Sequence, residues 1–346
     1  MPFARSERPS PLGRRAVLAL AAGCAAILAR RAGAEEAAPR FLRIGTANVT
    51  GTYFAIGGLI ADIVSRPPGA PPCEGGGSCG VPGLTAVAQS STGSVANVQA
   101  IQDGEIESGF AQSDVAYAAF TATGPFAGKT PADRLRALAN LYHELVHLVV
   151  RADSDLHEVT DLKGRRVSLD AEGSGSIVDA RLVLAAFGLD EASVEASYTP
   201  LATSIDRMRD GELDAFFLTA GWPAPAVAEL AGSIGIRLIP ITGPQIDTLL
   251  AGHRFLTPRA IPAGAYAGVQ ETPTIAVGAE WLVSSELTEE LVYGLTTALW
   301  SPNARAKLDS GHPRGRVIRL ETALSGVAIP LHPGAERYYR EHGVLR

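Results

Sequence analysis

Apolar and polar positions along the chain follow two textures that alternate twice. Short β-branched runs such as "FLRIG" and "RRVSL" read as strands. Each leads into a Gly/Ser/Thr loop and then into apolar residues at helical intervals, "TYFAIGGLIADIV" in the first half and "SIVDARLVLAAFGL" in the second. Further helices are predicted over "TGSVANVQAIQDG" and "ATSIDRMRDG", stopping at Gly104 and Gly211. The segments that follow pair with each other. "QDGEIESGFAQSD" (Gln102 to Asp114) and "RDGELDAFFLTAG" (Arg209 to Gly221) both run Asp-Gly-Glu, an aliphatic, an acid, a small residue, an apolar strand and a polar exit. The order is the same in both halves, which predicts two α/β units with a mostly parallel sheet.

That arrangement collects polar, glycine-bearing loops at strand exits and helix starts. They are Thr46 to Tyr53, Ser90 to Ser94, Gly173 to Ser176, and the exits Gln112-Ser113-Asp114 and Thr219-Ala220-Gly221. Open α/β sheets bind ligands at the carboxyl ends of their strands. Helix N-termini there offer free N–H groups and partial positive charge, suited to carboxylate or phosphate. Two such lobes face to face make a clam-shell that closes on a small solute. For any one loop, ordinary caps and turns explain the same residues; their recurrence in both halves favours a site.

One short motif points elsewhere. His143-Glu144-Leu145-Val146-His147 matches H-E-x-x-H, whose zinc chemistry needs both imidazoles on one helix face. Leu145, Val146, Leu148, Val149 and Val150 instead make a strand-like run. In a strand, residues four apart are separated by roughly 13 Å, too far to share an ion held at about 2 Å. The loop "GTANVTG" is not G-x-G-x-x-G and no acid follows it at the distance a ribose requires, no phosphate-loop lysine motif is present, and "GSGS" makes no G-x-S-x-G elbow. No cofactor is expected.

Composition and charge narrow the setting. The 346 residues, 46% hydrophobic, suffice for two ordinary domains. Residues 1–34 read as a secretory signal: Arg14-Arg15, an apolar run from Ala16 to Ala29, and a small-residue cleavage site ending at Ala34. Cys24 permits a lipoprotein reading, ranked behind cleavage near Ala34. The segment carries six Arg and one Glu, so the mature chain stands at −6 − 5 = −11. Such a chain is a poor partner for nucleic acid or anionic membrane, and an anionic ligand would have to be held by local donors. Cys73 and Cys79 bracket "CEGGGSC" and, in an exported chain, read as a disulfide.

The motifs "IGTANVTGTYFAIGG", "AQSSTGSVANVQAI", "GFAQSDVAY", "LVHLVVRADS", "DLKGRRVSL", "EGSGS", "DGELDAFFLTAGWP", "IPAGAYAG" and "IPLHPGAERYYRE" together resemble the TAXI type of TRAP-transporter solute receptor, from about Phe41 to Gly343. The resemblance implies a two-lobed type II periplasmic-binding-protein fold with two chain crossovers. Lobe 1 would be 41–142 plus 285–346, and lobe 2 would be 143–284. It implies a non-enzymatic, monomeric periplasmic receptor that hands a small organic anion or amino acid to an ion-gradient-driven TRAP permease. Carried onto this chain, ligand contacts would come from Thr46, Thr50, Tyr53, Ser91, Thr92, Gly93, Ser94, Asn97, Gln112, Ser113 and Asp114. The second lobe would add Ser174, Gly175, Ser176, Thr219, Ala220 and Gly221. By residue type, Thr92, Ser94, Ser174 and Ser176 would hold a carboxylate, Tyr53 would pack on the carbon skeleton, and Gln112 and Asp114 would set selectivity, although Asp114 suits a helix cap equally well. Arg151, Arg165 and Arg166 are expected in exposed salt bridges. The rival readings are a receptor of an ATP-driven importer, a periplasmic sensor subunit and, behind both, a zinc-dependent hydrolase.

Overall fold

The computed structural model describes residues 40–345 except 72, 74–78 and 254. Residues 1–34, read from the sequence as a secretory signal and including Cys24 and Ala34, lie outside the described residues. In chain order the elements are β1 (Arg40–Gly45), α1 (Thr52–Val64), β2 (Ser65–Arg66), β3 (Val81–Pro82), β4 (Leu84–Gln89), α2 (Ser94–Gln102), β5 (Ser108–Gln112), α3 (Ser113–Thr121) and β6 (Leu135–Arg151). There follow β7 (Arg166–Ser168), α4 (Ser176–Ala186), β8 (Glu195–Ser197), α5 (Leu201–Arg209), β9 (Ala215–Ala220), α6 (Pro225–Ile234), β10 (Ile236–Leu238), α7 (Pro244–Gly252) and β11 (Thr257–Ile261). The chain then closes with β12 (Thr272–Ser284), α8 (Glu289–Leu299), α9 (Pro302–Gly311) and α10 (Pro333–Glu341).

The repeat seen in the sequence is a repeat of topology. In the first half β1 lies between β4 and β5, parallel to both. In the second half β7 lies between β8 and β9, again parallel to both. Each triplet is then flanked by an antiparallel strand, β12 beside β5 and β6 beside β9. Those two strands pair with each other and are long enough to serve both halves. β6 pairs with β12 up to Leu145 and with β9 from Leu145 onward.

The duplicated Asp-Gly-Glu segments have a physical job. Gly104 and Gly211 both adopt positive φ at the ends of α2 and α5, where a side chain would be strained. The acid three residues later pins the neighbouring strand. Glu107 accepts from the N–H and guanidinium of Arg43, and Asp214 accepts from the same groups of Arg166. A bidentate Arg–carboxylate pair that also takes a backbone N–H fixes strand position more firmly than a simple ion pair. Arg151 pairs with Asp153 and Arg165 with Asp155, as the sequence suggests.

Three apolar cores hold the halves. One, with Ile44, Ile60, Trp281 and Tyr339, fills the first half. Another, with Phe216, Leu230 and Tyr266, fills the second. A third runs along the shared strands and includes Ile101, Val146, Phe217 and Leu282. Cys73 and Cys79 form a disulfide. No helix among the described residues is long and apolar enough to cross a membrane.

The H-E-x-x-H sequence lies inside β6, so His143 and His147 belong to a strand. His147 is fully buried and both ring nitrogens are engaged. A carbonyl only accepts, so the 2.8 Å contact with Leu145 O places the proton on Nδ1. Nε2 then accepts from the Tyr266 hydroxyl at 2.9 Å, and that hydroxyl in turn accepts from the Ala224 N–H. Burial lowers this imidazole's pKa to about 4, keeping it neutral. Among the described residues no group of three or more His, Cys, Asp or Glu side chains is placed to hold a metal ion.

Candidate functional site

A cavity of about 150 Å³ sits where the two halves meet. Besides Leu201 at the start of α5, its wall includes three helix starts: Thr52 and Tyr53 of α1, Ser94 of α2 and Ser176 of α4. The residue preceding each helix is a glycine, Gly51, Gly93 or Gly175, and none of the three helices has a side-chain cap. The foremost N–H groups, at Ser94 and Ser176, are left for another acceptor, whereas Ala96 donates to Gly173 O and Ile177 to Ser174 Oγ; the helix dipoles add positive potential at the same place. The sequence puts glycine there because the halves approach too closely for a side chain. A Cβ at Gly93 would meet Ser174 Cα at 3.3 Å, and one at Gly173 would meet Thr92 Oγ1 at 2.6 Å.

The hydroxyl groups are oriented by the backbone. Ser94 Oγ accepts from the Gln112 N–H at 3.1 Å, and Ser176 Oγ accepts from the Thr219 N–H at 3.0 Å. A hydroxyl that has accepted from an amide keeps its own proton to donate. Ser174 Oγ accepts from the Ile177 N–H. Tyr53 lies edge-on to Phe110 at 5.5 Å, with its buried hydroxyl beside Glu144 and Ser94.

Of the expected ligand contacts, Tyr53, Ser91, Thr92, Gly93, Ser94, Gln112, Ser174, Gly175, Ser176, Thr219 and Ala220 line the cavity. The others support it from behind. Thr46 O accepts from Ser91 Oγ and Asn97 Nδ2, which ties two loops together. Thr50 donates its N–H and hydroxyl to Asn48 Oδ1 in an exposed turn. Ser113 Oγ accepts from the Gly278 N–H, and Gly221 O accepts from Thr52 Oγ1. Asp114 is buried away from the cavity wall, in the same interior as Glu280, and no side chain caps α3. Burial raises its carboxyl to about 6.

The halves touch around the cavity. The Ala96 N–H donates to Gly173 O at 3.1 Å, and Gln112 Nε2 donates to Asp179 Oδ2 at 3.1 Å. Near Gly221 the Arg314 guanidinium lies 4.2 Å from the centre of the Trp222 ring, a cation–π contact.

Glu144, Asp170, Asn48, Thr52, Leu201 and Leu218 are among the wall residues not singled out from sequence as ligand contacts. Glu144 is the middle acid of H-E-x-x-H. An acid inside an otherwise buried strand was the available signal, since burying a carboxylate without a cation is costly. Burial raises its carboxyl to about 8, with the Tyr53 hydroxyl opposing and Asp114 adding to the shift. Asp170 is likewise raised by burial and holds a positive φ of 73°. Asp179, behind Gln112, is raised further by burial and by the nearby Asp114. No lysine or arginine lines the cavity among the described residues.

Comparison with known proteins places this geometry in a lineage. Residues 44–343 match the NMT1-like family, and the chain belongs to that family. Among solved structures, PhnD1 from Prochlorococcus marinus (MIT 9301), in complex with methylphosphonate, is 12% identical with a TM-score of 0.50, covering 89% of this chain and 100% of that one. A protein from Bordetella bronchiseptica RB50 is 16% identical with a TM-score of 0.50, covering 88% of this chain and 89% of that one. The alkanesulfonate-binding protein SsuA from Xanthomonas axonopodis pv. citri, bound to MOPS, is 18% identical with a TM-score of 0.47 over 90% of this chain and 96% of that one. At these identities the likeness is one of fold, the two-lobed type II periplasmic-binding-protein fold.

Proposed function

We propose that this chain is an extracytoplasmic solute receptor that closes its two lobes on a small carboxylate-bearing solute, an organic acid or an amino acid. The observation that carries the reading is the convergence of three uncapped helix starts, of α1, α2 and α4, on one cavity between topologically equivalent halves. With no cationic side chain on the wall, backbone N–H groups and the Ser94 and Ser176 hydroxyls are the natural carboxylate donors. The lobes are taken as 41–142 plus 285–346 and 143–284, the receptor as a monomer, and its place as the periplasm after removal of residues 1–34. The TAXI-like motifs support delivery to an ion-gradient-driven TRAP permease; the rival partner is an ATP-driven importer.

A thermal-shift panel of dicarboxylates, 2-oxo acids, 2-hydroxy acids and amino acids on ligand-stripped protein tests this. A solute at 100 times its Kd adds about 2.7 kcal/mol, a rise of a few degrees in Tm. Ser94→Leu and Ser176→Leu are expected to remove the shift in a protein that still unfolds cooperatively, at a lower unliganded Tm because the Gln112 or Thr219 N–H loses its acceptor. Binding unchanged in both variants would remove the cavity from consideration.

A further inference from the structure

Resting on the receptor reading, we propose that Glu144 is the specificity-determining residue of the cavity, pairing with a protonated amine, so that the captured solute carries an ammonium group beside its carboxylate.

Two acceptors on the wall lack partners within the protein, Glu144 Oε2 and Gln112 Oε1, and the buried Tyr53 hydroxyl stands beside Glu144. The Gln112 amide is held at its nitrogen end. Its Nε2 donates to Asp179 Oδ2, which also accepts from Thr219 Oγ1, so its carbonyl oxygen is the end left over. Glu144 is 2% exposed. Leaving a buried acceptor unsatisfied costs free energy, and an acid in an apolar interior costs more. An ammonium group has three N–H donors and one positive charge, and supplies both what these acceptors and this carboxyl lack. A carboxylate alone supplies neither.

The titratable side chains around Glu144 are tyrosines and other carboxyls. Tyr53 faces it from α1, Tyr142 from its own strand, Asp114 from α3 and Asp179 from α4, with Asp170 elsewhere on the wall. Arg314 acts on Tyr142 and does not line the cavity. Because burial raises Glu144 to about 8, the empty site holds it protonated at pH 7. On docking of an ammonium, the Glu144 O–H proton leaves to solvent and the carboxylate pairs with the amine. Binding then releases about one proton at pH 7.

The test is isothermal titration calorimetry with matched probes: glutamate, 2-hydroxyglutarate and 2-oxoglutarate; aspartate, malate and oxaloacetate; alanine, lactate and pyruvate. In at least one trio the amine is expected to bind about tenfold or more tighter than its hydroxy and oxo counterparts, with proton release measured by comparing buffers of different ionisation enthalpy. Glu144→Gln, which keeps the shape, is expected to abolish both the preference and the proton release while hydroxy and oxo acids still bind. Equal binding of amine and oxo acid, or a preference that survives in Glu144→Gln, overturns the assignment and leaves the receptor intact. No binding by any probe overturns the carboxylate-receptor reading and the assignment together.

Discussion

A leucine at Gly175 is expected to abolish solute capture while leaving the protein folded. The backbone there is helical, with φ −77° and ψ −30°, so any residue is tolerated by the chain itself. A Cβ would collide with Gln112 Oε1 across the interface and lie 2.8 Å from Ser94 Oγ. Both atoms belong to the opposite half, so the conflict exists only when the halves meet. Gln112 cannot simply swing aside, because its other end holds Asp179. Overpacking of this kind costs about 1–3 kcal/mol and more for a bulky side chain, equivalent to a loss of about 100-fold in affinity. Gly58→Ala is the control: the position is exposed on α1, a Cβ there meets nothing within 4 Å, and the helix gains about 1 kcal/mol. Calorimetric titration of both variants with the solute found by thermal shift checks the contrast. Retained affinity in Gly175→Leu would mean that closure over this loop is not how the solute is held.

Glu280→Gln is expected to stabilise the empty protein at alkaline pH and to flatten its pH profile. Glu280 lies on β12, fully buried, with both carboxyl oxygens unpartnered and Asp114 close by. Burial, with Asp114 adding, raises its carboxyl to about 8 from an ordinary 4.5. The sign follows from proton counting. Between pH 4.5 and 8 the folded state keeps a proton that the unfolded state has lost, so stability is full below 4.5 and falls as pH rises through 8. The loss is as much as about 4 kcal/mol at pH 8 for one such group. Glutamine has nothing to ionise. Urea unfolding of wild type should show lower stability at pH 8 than at pH 5.5, with the variant overtaking it at pH 8. A wild type equally stable at both values, or a variant less stable at pH 8, would contradict the burial of an uncompensated acid at this position.

The repeat was legible because its punctuation is local chemistry. A helix must end at Gly104 and Gly211, and an acid must follow to meet the strand's arginine, so two distant segments carry the same letters. The helix starts were legible for the same reason: glycine and serine cluster where two backbones approach. What sequence could not give was the direction of side chains around a helix start or along a doubly buried strand. Asp114 stands next to the exit Gln112-Ser113, yet the first turn of α3 carries it away from the cavity. Glu144 stands out as an acid in a strand-like run, but only the pairing of β6 with both β12 and β9 shows that it reaches the wall. Asp170 depends on a positive φ that no residue type announces. Thr46 and Asn97 carry the right chemistry for ligand contacts and use it on the backbone instead.

The central claim is that the solute's carboxylate rests on the uncapped starts of α2 and α4. A structure of the complex with the solute that gives the largest thermal shift tests it most directly. The receptor reading predicts carboxylate oxygens within hydrogen-bond distance of the Ser94 and Ser176 hydroxyls or the adjacent N–H groups, with the halves closed as described. A solute bound elsewhere, or one whose carboxylate points away from both helix starts, would contradict it.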